Sequence, residues 1–313
     1  MNTPILFWLH VPIETTHGDW FQLPPNGCLN VLGKRARLLE RNLPNSVSLT
    51  SASTGVIKQW LIFDPVNEVE ARQLWKELKE KFPALAFEEK ASFRIGQNEL
   101  NIATRSKYDG LIPTLIPASF TPDPEWGVPN ITSYMNGTLV LGTKLNSISP
   151  ITDIRLIAAL DLEIASRYDV LPRSIFLAQL TILDSLAVKN EREDATKQWI
   201  DAKIQEANKL NDPGLISSLT NLKQGSHGAA VRALVSRAVR AIGGDRTEQS
   251  AKSKLAGQLY SIRSALSHAG SGPTLNVRGA RELVSIVLKA SILDIDVLDP
   301  IAFATKQCDG NKP

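Results

Sequence analysis

Leu259-Tyr260-Ser261-Ile262-Arg263-Ser264-Ala265-Leu266-Ser267-His268-Ala269-Gly270 reads as the end of a long helix that begins near Thr247. An arginine and a histidine stand five positions apart in it, and Gly270 and Pro273 mark the stop. The same texture extends on both sides. Ala229 to Ile242 and Val277 to Ile292 also read as helices, separated from the first by Gly243-Gly244 and by Ala269-Gly270-Ser271-Gly272-Pro273. Upstream, Ile154, Ile157, Ala158, Leu160 and Ile164 suggest another helix. Pro172, tolerated in a first turn, opens one containing Ile175, Phe176, Leu180, Leu183 and Leu186. Charged residues dominate Lys189 to Lys209, with Trp199, Ile200 and Ile204 as the expected inner face, and Pro213-Gly214 reads as a turn. Residues 150–300 therefore predict an all-α bundle of five or more helices, with 301–313 as a flexible tail.

The composition changes near residue 150. Of 18 prolines, 13 lie at or before Pro150, as do five of six tryptophans. Proline is excluded from helix interiors and central strands, so residues 1–149 should be rich in strands and loops. Ile5 to Ile13, Ile57 to Phe63 and Leu139 to Leu141 read as strands, with Ala84 to Glu88 and Glu99 to Ala103 as weaker candidates. One helix interrupts them from Glu68 to Lys81. Asn67 caps it, Glu70 fills the capping-box position, and Ala71, Leu74, Trp75, Leu78 and Phe82 form its apolar stripe. Pro113 to Pro129 reads as a long surface loop. The expectation is an α+β N-terminal domain, of unassigned and possible sensory role, followed by the helical one.

The formal charge of +3 is small but uneven. Residues 220 to 290 hold 11 Lys and Arg against 3 Asp and Glu, a local +8, so the remainder carries −5. That asymmetry suits an anionic partner for the basic half, and equally a solvated helical surface. Two distant cysteines, Cys28 and Cys308, cannot build a disulfide framework or a cysteine-rich zinc site. His10, His17, His227 and His268 are scattered, so no metal or other cofactor is expected. Met1 to Pro12 reads as a buried strand and not a signal peptide, and no segment has the length of apolar residues that a membrane helix needs. No membrane partner is expected, and the cytoplasm is the default location.

The arginine–histidine pair has a definite chemistry open to it. RNA carries its own nucleophile, the 2′-hydroxyl. A histidine can take that proton or give one to the departing 5′-oxygen. Arginine can hold two phosphate oxygens and stabilise the pentacovalent state. On an ideal helix, five residues turn about 500°, leaving the two side chains roughly 140° apart. A loosened last turn, or a two-fold dimer placing two such pairs around one cleft, would bring them together. The bland alternative is that Arg263 pairs with a carboxylate and His268 caps the helix end.

These residues resemble the HEPN superfamily, whose signature is an arginine, four to six residues, and a histidine near the end of a long helix. They are more specifically similar to the ApeA-like HEPN domains, where that helix ends in Tyr-x-x-Arg-Ser-x-x-x-His-Gly. Tyr260, Arg263, Ser264 and His268 match it, and the expected glycine is replaced by Ala269. Ala233 to Val239 resembles the preceding helix. Phe176 to Ala187 resembles the opening helix, with Asp184 where glutamate is more usual. The resemblance covers about residues 150 to 295. It implies a homodimeric, metal-independent endoribonuclease that leaves 2′,3′-cyclic phosphate, and service in bacterial anti-phage defence or a toxin system. It implies that Arg263 binds the scissile phosphate, His268 handles protons, and Asp184 and Ser264 orient them. Arg240, Lys254, Arg278 and Arg281 are candidates for steering RNA, and Tyr260 for stacking on a base. A protein or small-molecule trigger would act through the N-terminal domain. Because some HEPN proteins act as partners or regulators, the second reading is a non-enzymatic dimerisation or nucleic-acid-binding module.

Other features carry less. Gly243-Gly244-Asp245 and Gly270-Ser271-Gly272 lack the strand and lysine of a phosphate loop and read as turns. His10, His17 and Asp19 are too loosely spaced for a metal site. Trp8, Trp20, Trp60, Trp75 and Trp126 are better suited to a core than to a ligand cleft.

Overall fold

The structure, a computed structural model, describes residues 5–16, 28–40, 56–104, 111–120, 141–269 and 274–309. The chain divides into two units, Met1–Tyr168 and Asp169–Pro313. The division falls after the helix at 154–166 and not at the compositional break before it, because that helix packs on the long helix of the first unit.

The first unit is a mixed sheet with helices. Its strands are β1 (Leu6–Thr16), β2 (Cys28–Val31), β3 (Lys34–Glu40), β4 (Val56–Asn67), β5 (Arg94–Ile95), β6 (Asn101–Ile102) and β7 (Thr114–Pro117). They run in the order β2-β3-β4-β1-β7-β6, with β5 also beside β1. Among the described residues, only β6 and β7 pair in parallel. Period-two alternation on β1 sends Phe7, Leu9, Val11 and Ile13 into the main core, where Leu61 and Phe63 of β4 meet them. The opposite face carries His10, Trp60 and Ile62. The two-residue turn between β2 and β3 has positive φ at both Leu32 (51°) and Gly33 (74°), the conformation that matches strand twist.

Helix α1 (Glu68–Glu88) covers this core with Ala71, Leu74, Trp75, Leu78 and Phe82. Asn67 accepts from the Glu70 amide at 2.9 Å and donates to its carboxylate at 3.0 Å. Ala84 to Glu88, expected as a weak strand, instead continues α1 past Pro83. Burial of Phe82 to Ala86 against the sheet offsets the hydrogen bond that the proline removes. Two further corrections concern loops. Leu141 opens α2 (Leu141–Ser147) and is not in a strand, while Leu139 and Val140 lie outside the described residues. Within the segment read as a surface loop from Pro113, Thr114 to Pro117 forms β7, with Leu115 and Ile116 buried. α3 (Ile154–Ser166) completes the unit.

The second unit is helical: α4 (Pro172–Leu186), α5 (Asp194–Lys209), α6 (Pro213–Leu222), α7 (His227–Ala241), α8 (Arg246–Ala269), α9 (Val277–Leu293), a 3₁₀ turn (Ile295–Leu298) and α10 (Pro300–Asp309). Its core joins Phe176, Leu180 and Leu183 of α4 to Leu234, Val235 and Val239 of α7, Leu259 of α8, and Leu283, Val287 and Leu288 of α9. Pro213 starts a helix and not merely a turn, because Asp212 accepts from the Leu215 amide and the proline sits where no N–H is needed. Trp199, expected on an inner face, is 59% exposed, and its neighbour Ile200 takes the buried position. Residues 301–309, expected within a flexible tail, belong to α10 (Pro300–Asp309). Asp299 caps it, Phe303 is buried, and Lys306 pairs with Asp294 and Asp296.

Among the described residues no helix is long and apolar enough to cross a membrane.

Candidate functional site

Helix α8 decides where Arg263 points. Its inward stripe runs through Ala256, Leu259 and Leu266, all buried. Position 263 falls between the last two at helical spacing, four after Leu259 and three before Leu266, so a charged residue occupies a core-facing position. Such a group must be paired. Its partner comes from α4, where Asp184 follows the buried Leu183. Arg263 Nη1 lies 3.2 Å from Asp184 Oδ2.

Two further side chains complete the cluster. Tyr260 lies one turn before Arg263, its ring centroid 5.6 Å from the guanidinium carbon. Its hydroxyl is 3.5 Å from Nη1, at the outer limit of a hydrogen bond. Burial, and then the Asp184 charge, pushes the Tyr260 phenol up, so it remains a neutral donor. His227 opens α7, placed there by Ser226, whose hydroxyl accepts from the Ala229 amide at 3.2 Å. The imidazole Nδ1 of His227 lies 3.2 Å from Asp184 Oδ1. That oxygen is closed to solvent and accepts no hydrogen bond, so the imidazole stands beside it without donating to it. Gly228 lets α7 approach, since a Cβ there would stand 3.2 Å from the Tyr260 ring.

Exposure orders the cluster from inside out. The Asp184 side chain is 20% exposed, Arg263 29% and His227 46%. One carboxylate thus lies beneath two nitrogen-bearing groups, and both can be reached from solvent. The arrangement can hold an anion and move a proton beside it.

His268 is on the backbone of α8, but its side chain lies outside the described residues, as do those of Ser267 and Ala269. The loosened last turn expected near His268 is absent. The backbone is α-helical through Ala269, and glycine appears only afterwards, so positions 263 and 268 stay roughly 140° apart. Ser264 is exposed, about 100° around the helix from Arg263. Arg240, Lys254, Arg278 and Arg281 are exposed. Arg240 closes α7 about 20 Å along the axis from His227, so it does not belong to this cluster.

His227 is the residue that sequence reasoning missed. Its signal was local: Ser226 before a run of apolar spacing is a helix start, which puts residue 227 at the tip. Nothing in the sequence places that tip against α4. Of the looser suggestions, His10 is buried and its neighbours His17 and Asp19 lie outside the described residues. Trp60 and Trp75 are buried, Trp8 is half-buried, and Trp20 and Trp126 lie outside the described residues. Among the described residues no group of three or more His, Cys, Asp or Glu could hold a metal ion.

Comparison with protein-family models, curated proteins and solved structures finds no match to this chain.

Proposed function

We propose that the chain is a metal-independent endoribonuclease of HEPN type. It acts as a homodimer in the cytoplasm, in bacterial anti-phage defence or a toxin system. The observation that carries this reading is Arg263: an arginine at a core-facing position, fixed by Asp184 and Tyr260 yet still reachable. A guanidinium held this way is pre-organised for a phosphate and loses little freedom on binding one. In the reaction, the 2′-oxygen bonds to phosphorus and the bond to the 5′-oxygen breaks. The 2′-proton leaves to a base and the 5′-oxygen receives one from an acid. Arg263 neutralises the charge that gathers on the phosphoryl oxygens, and His268 serves the proton traffic. The sheet unit receives the protein or small-molecule trigger.

The angle between positions 263 and 268 favours a dimer, in which two copies supply both groups to one cleft. The same angle favours the second reading, a binding module whose Arg263 holds nucleic acid without cutting it. Incubation of the purified full-length chain with single-stranded RNA in EDTA separates them. Cleavage to 2′,3′-cyclic phosphate ends, lost in Arg263→Ala and in His268→Ala, supports the enzyme. Cleavage that needs a metal, or retention of RNA with no cleavage, overturns it.

A further inference from the structure

Asp184, the carboxylate paired with Arg263, also faces an imidazole outside the arginine–histidine signature, that of His227. We propose that His227 is a catalytic residue of this site, the base that takes the 2′-hydroxyl proton of RNA. This rests on the ribonuclease reading above.

The geometry supplies the argument. Asp184 presents one oxygen to Arg263 and the other to His227, each at 3.2 Å. The two groups are therefore separated by a single carboxylate, close enough for one ribose-phosphate linkage to touch both. With Nδ1 beside the carboxylate, Nε2 is the ring nitrogen left to take a proton from substrate. The imidazole is the most exposed member of the cluster, as a group meeting substrate must be. A merely structural histidine is expected to resemble His10, which is 1% exposed and set edge-on to Trp60. Among the described residues, Asp184 of α4 faces His227, and Tyr260 and Arg263 of α8 adjoin the same carboxylate.

The step balances. As the 2′-oxygen bonds to phosphorus, its proton passes to Nε2 of His227. The bond from phosphorus to the 5′-oxygen breaks, and that oxygen leaves with a proton from His268. General acid–base cleavage needs two such groups, and the signature alone supplies one per protomer. The two histidines also stand at opposite helix ends. Position 227 opens α7 and position 268 is near the end of α8.

The test is the pH–rate profile for cleavage of a fluorescently labelled single-stranded RNA of mixed sequence by wild type, His227→Gln and His227→Ala. Glutamine keeps an N–H for Asp184 but cannot take a proton. Both variants should lose about 100-fold or more in kcat and the limb that rises with pH, with KM within about threefold and the thermal midpoint of His227→Gln unchanged. His227→Gln retaining wild-type kcat and both limbs, while Arg263→Ala is inactive, overturns this proposal and leaves the ribonuclease reading standing. Wild type that cuts no RNA overturns both.

Discussion

Each unit sets an arginine over a tyrosine ring and pairs it with a carboxylate, yet the two clusters are built for different ends. In the sheet unit, Arg94 is 5.0 Å from the Tyr168 ring and binds Glu14 through both Nε and Nη2, at 2.9 and 2.7 Å. The Tyr168 hydroxyl donates to the backbone carbonyls of Ser92 and Glu14, and Arg167 reaches those of Ala86 and Ala91. These contacts tie separate segments of the chain together. In the helical unit, Arg263 meets its carboxylate through Nη1, and the other carboxylate oxygen faces an imidazole open to solvent. Exposure of the arginines does not distinguish them, at 37% for Arg94 and 29% for Arg263. The company does: Arg94 has the buried Asp161 carboxyl near it, whereas Arg263 shares its carboxylate with an imidazole open to solvent.

The largest effect should come from exchanging the two arginines' fates. Arg263→Ala is expected to lower RNA cleavage about 10³-fold with the fold intact. Arg94→Ala should leave the rate per folded molecule within about twofold and destabilise the sheet unit by about 1–3 kcal/mol. Cleavage assays beside urea unfolding read both, and a reversed pattern would break the contrast.

A second effect concerns two buried groups of the sheet unit that titrate in opposite senses. Burial pushes the Asp161 carboxyl up to about 7, against Gln97 and Arg94, which pull it down. Burial lowers His10 to about 4. The Asp161 contribution to stability is full below about pH 4 and is lost as pH rises through about 7. The His10 contribution is full above about pH 6.5 and is lost as pH falls through about 4. Between these limits the two slopes oppose. Asp161→Asn should therefore uncover a stability that rises from pH 4.5 to 6.5, by an amount on the order of 1–3 kcal/mol. Urea midpoints that stay flat in the variant would contradict it.

The smallest effect sharpens the helical site. Gly228→Ala adds helix propensity worth about 1 kcal/mol but presses a methyl on the Tyr260 ring. The thermal midpoint should hold or rise while kcat falls about threefold, as expected for a displacement of a few tenths of an ångström. A fall in both would mean that the ring cannot yield.

Periodicity made α1, α3, α4, α7, α8 and α9 legible, because each combines a start signal with an apolar stripe. It failed where a short apolar run fits either helix or strand, as at Ala84 to Glu88, which tertiary burial assigned to α1. It also failed at β2 and β3, whose turn uses Leu32-Gly33 in place of the usual Asn-Gly. At the site, the pairing of positions 184, 227 and 263 spans three helices. Sequence spacing specifies where each stands on its own helix, and only packing brings them to one point.

The shared carboxylate has a practical corollary. On the proposed ribonuclease reading, Asp184 sets a carboxylate between two groups that meet a negative ligand, so it restrains binding even as it orders the donors. Asp184→Asn would relax that restraint while disarranging the chemistry. The resulting chain should retain the strand it can no longer release by cutting, a bait with which the natural target could be fished from cellular RNA and sequenced.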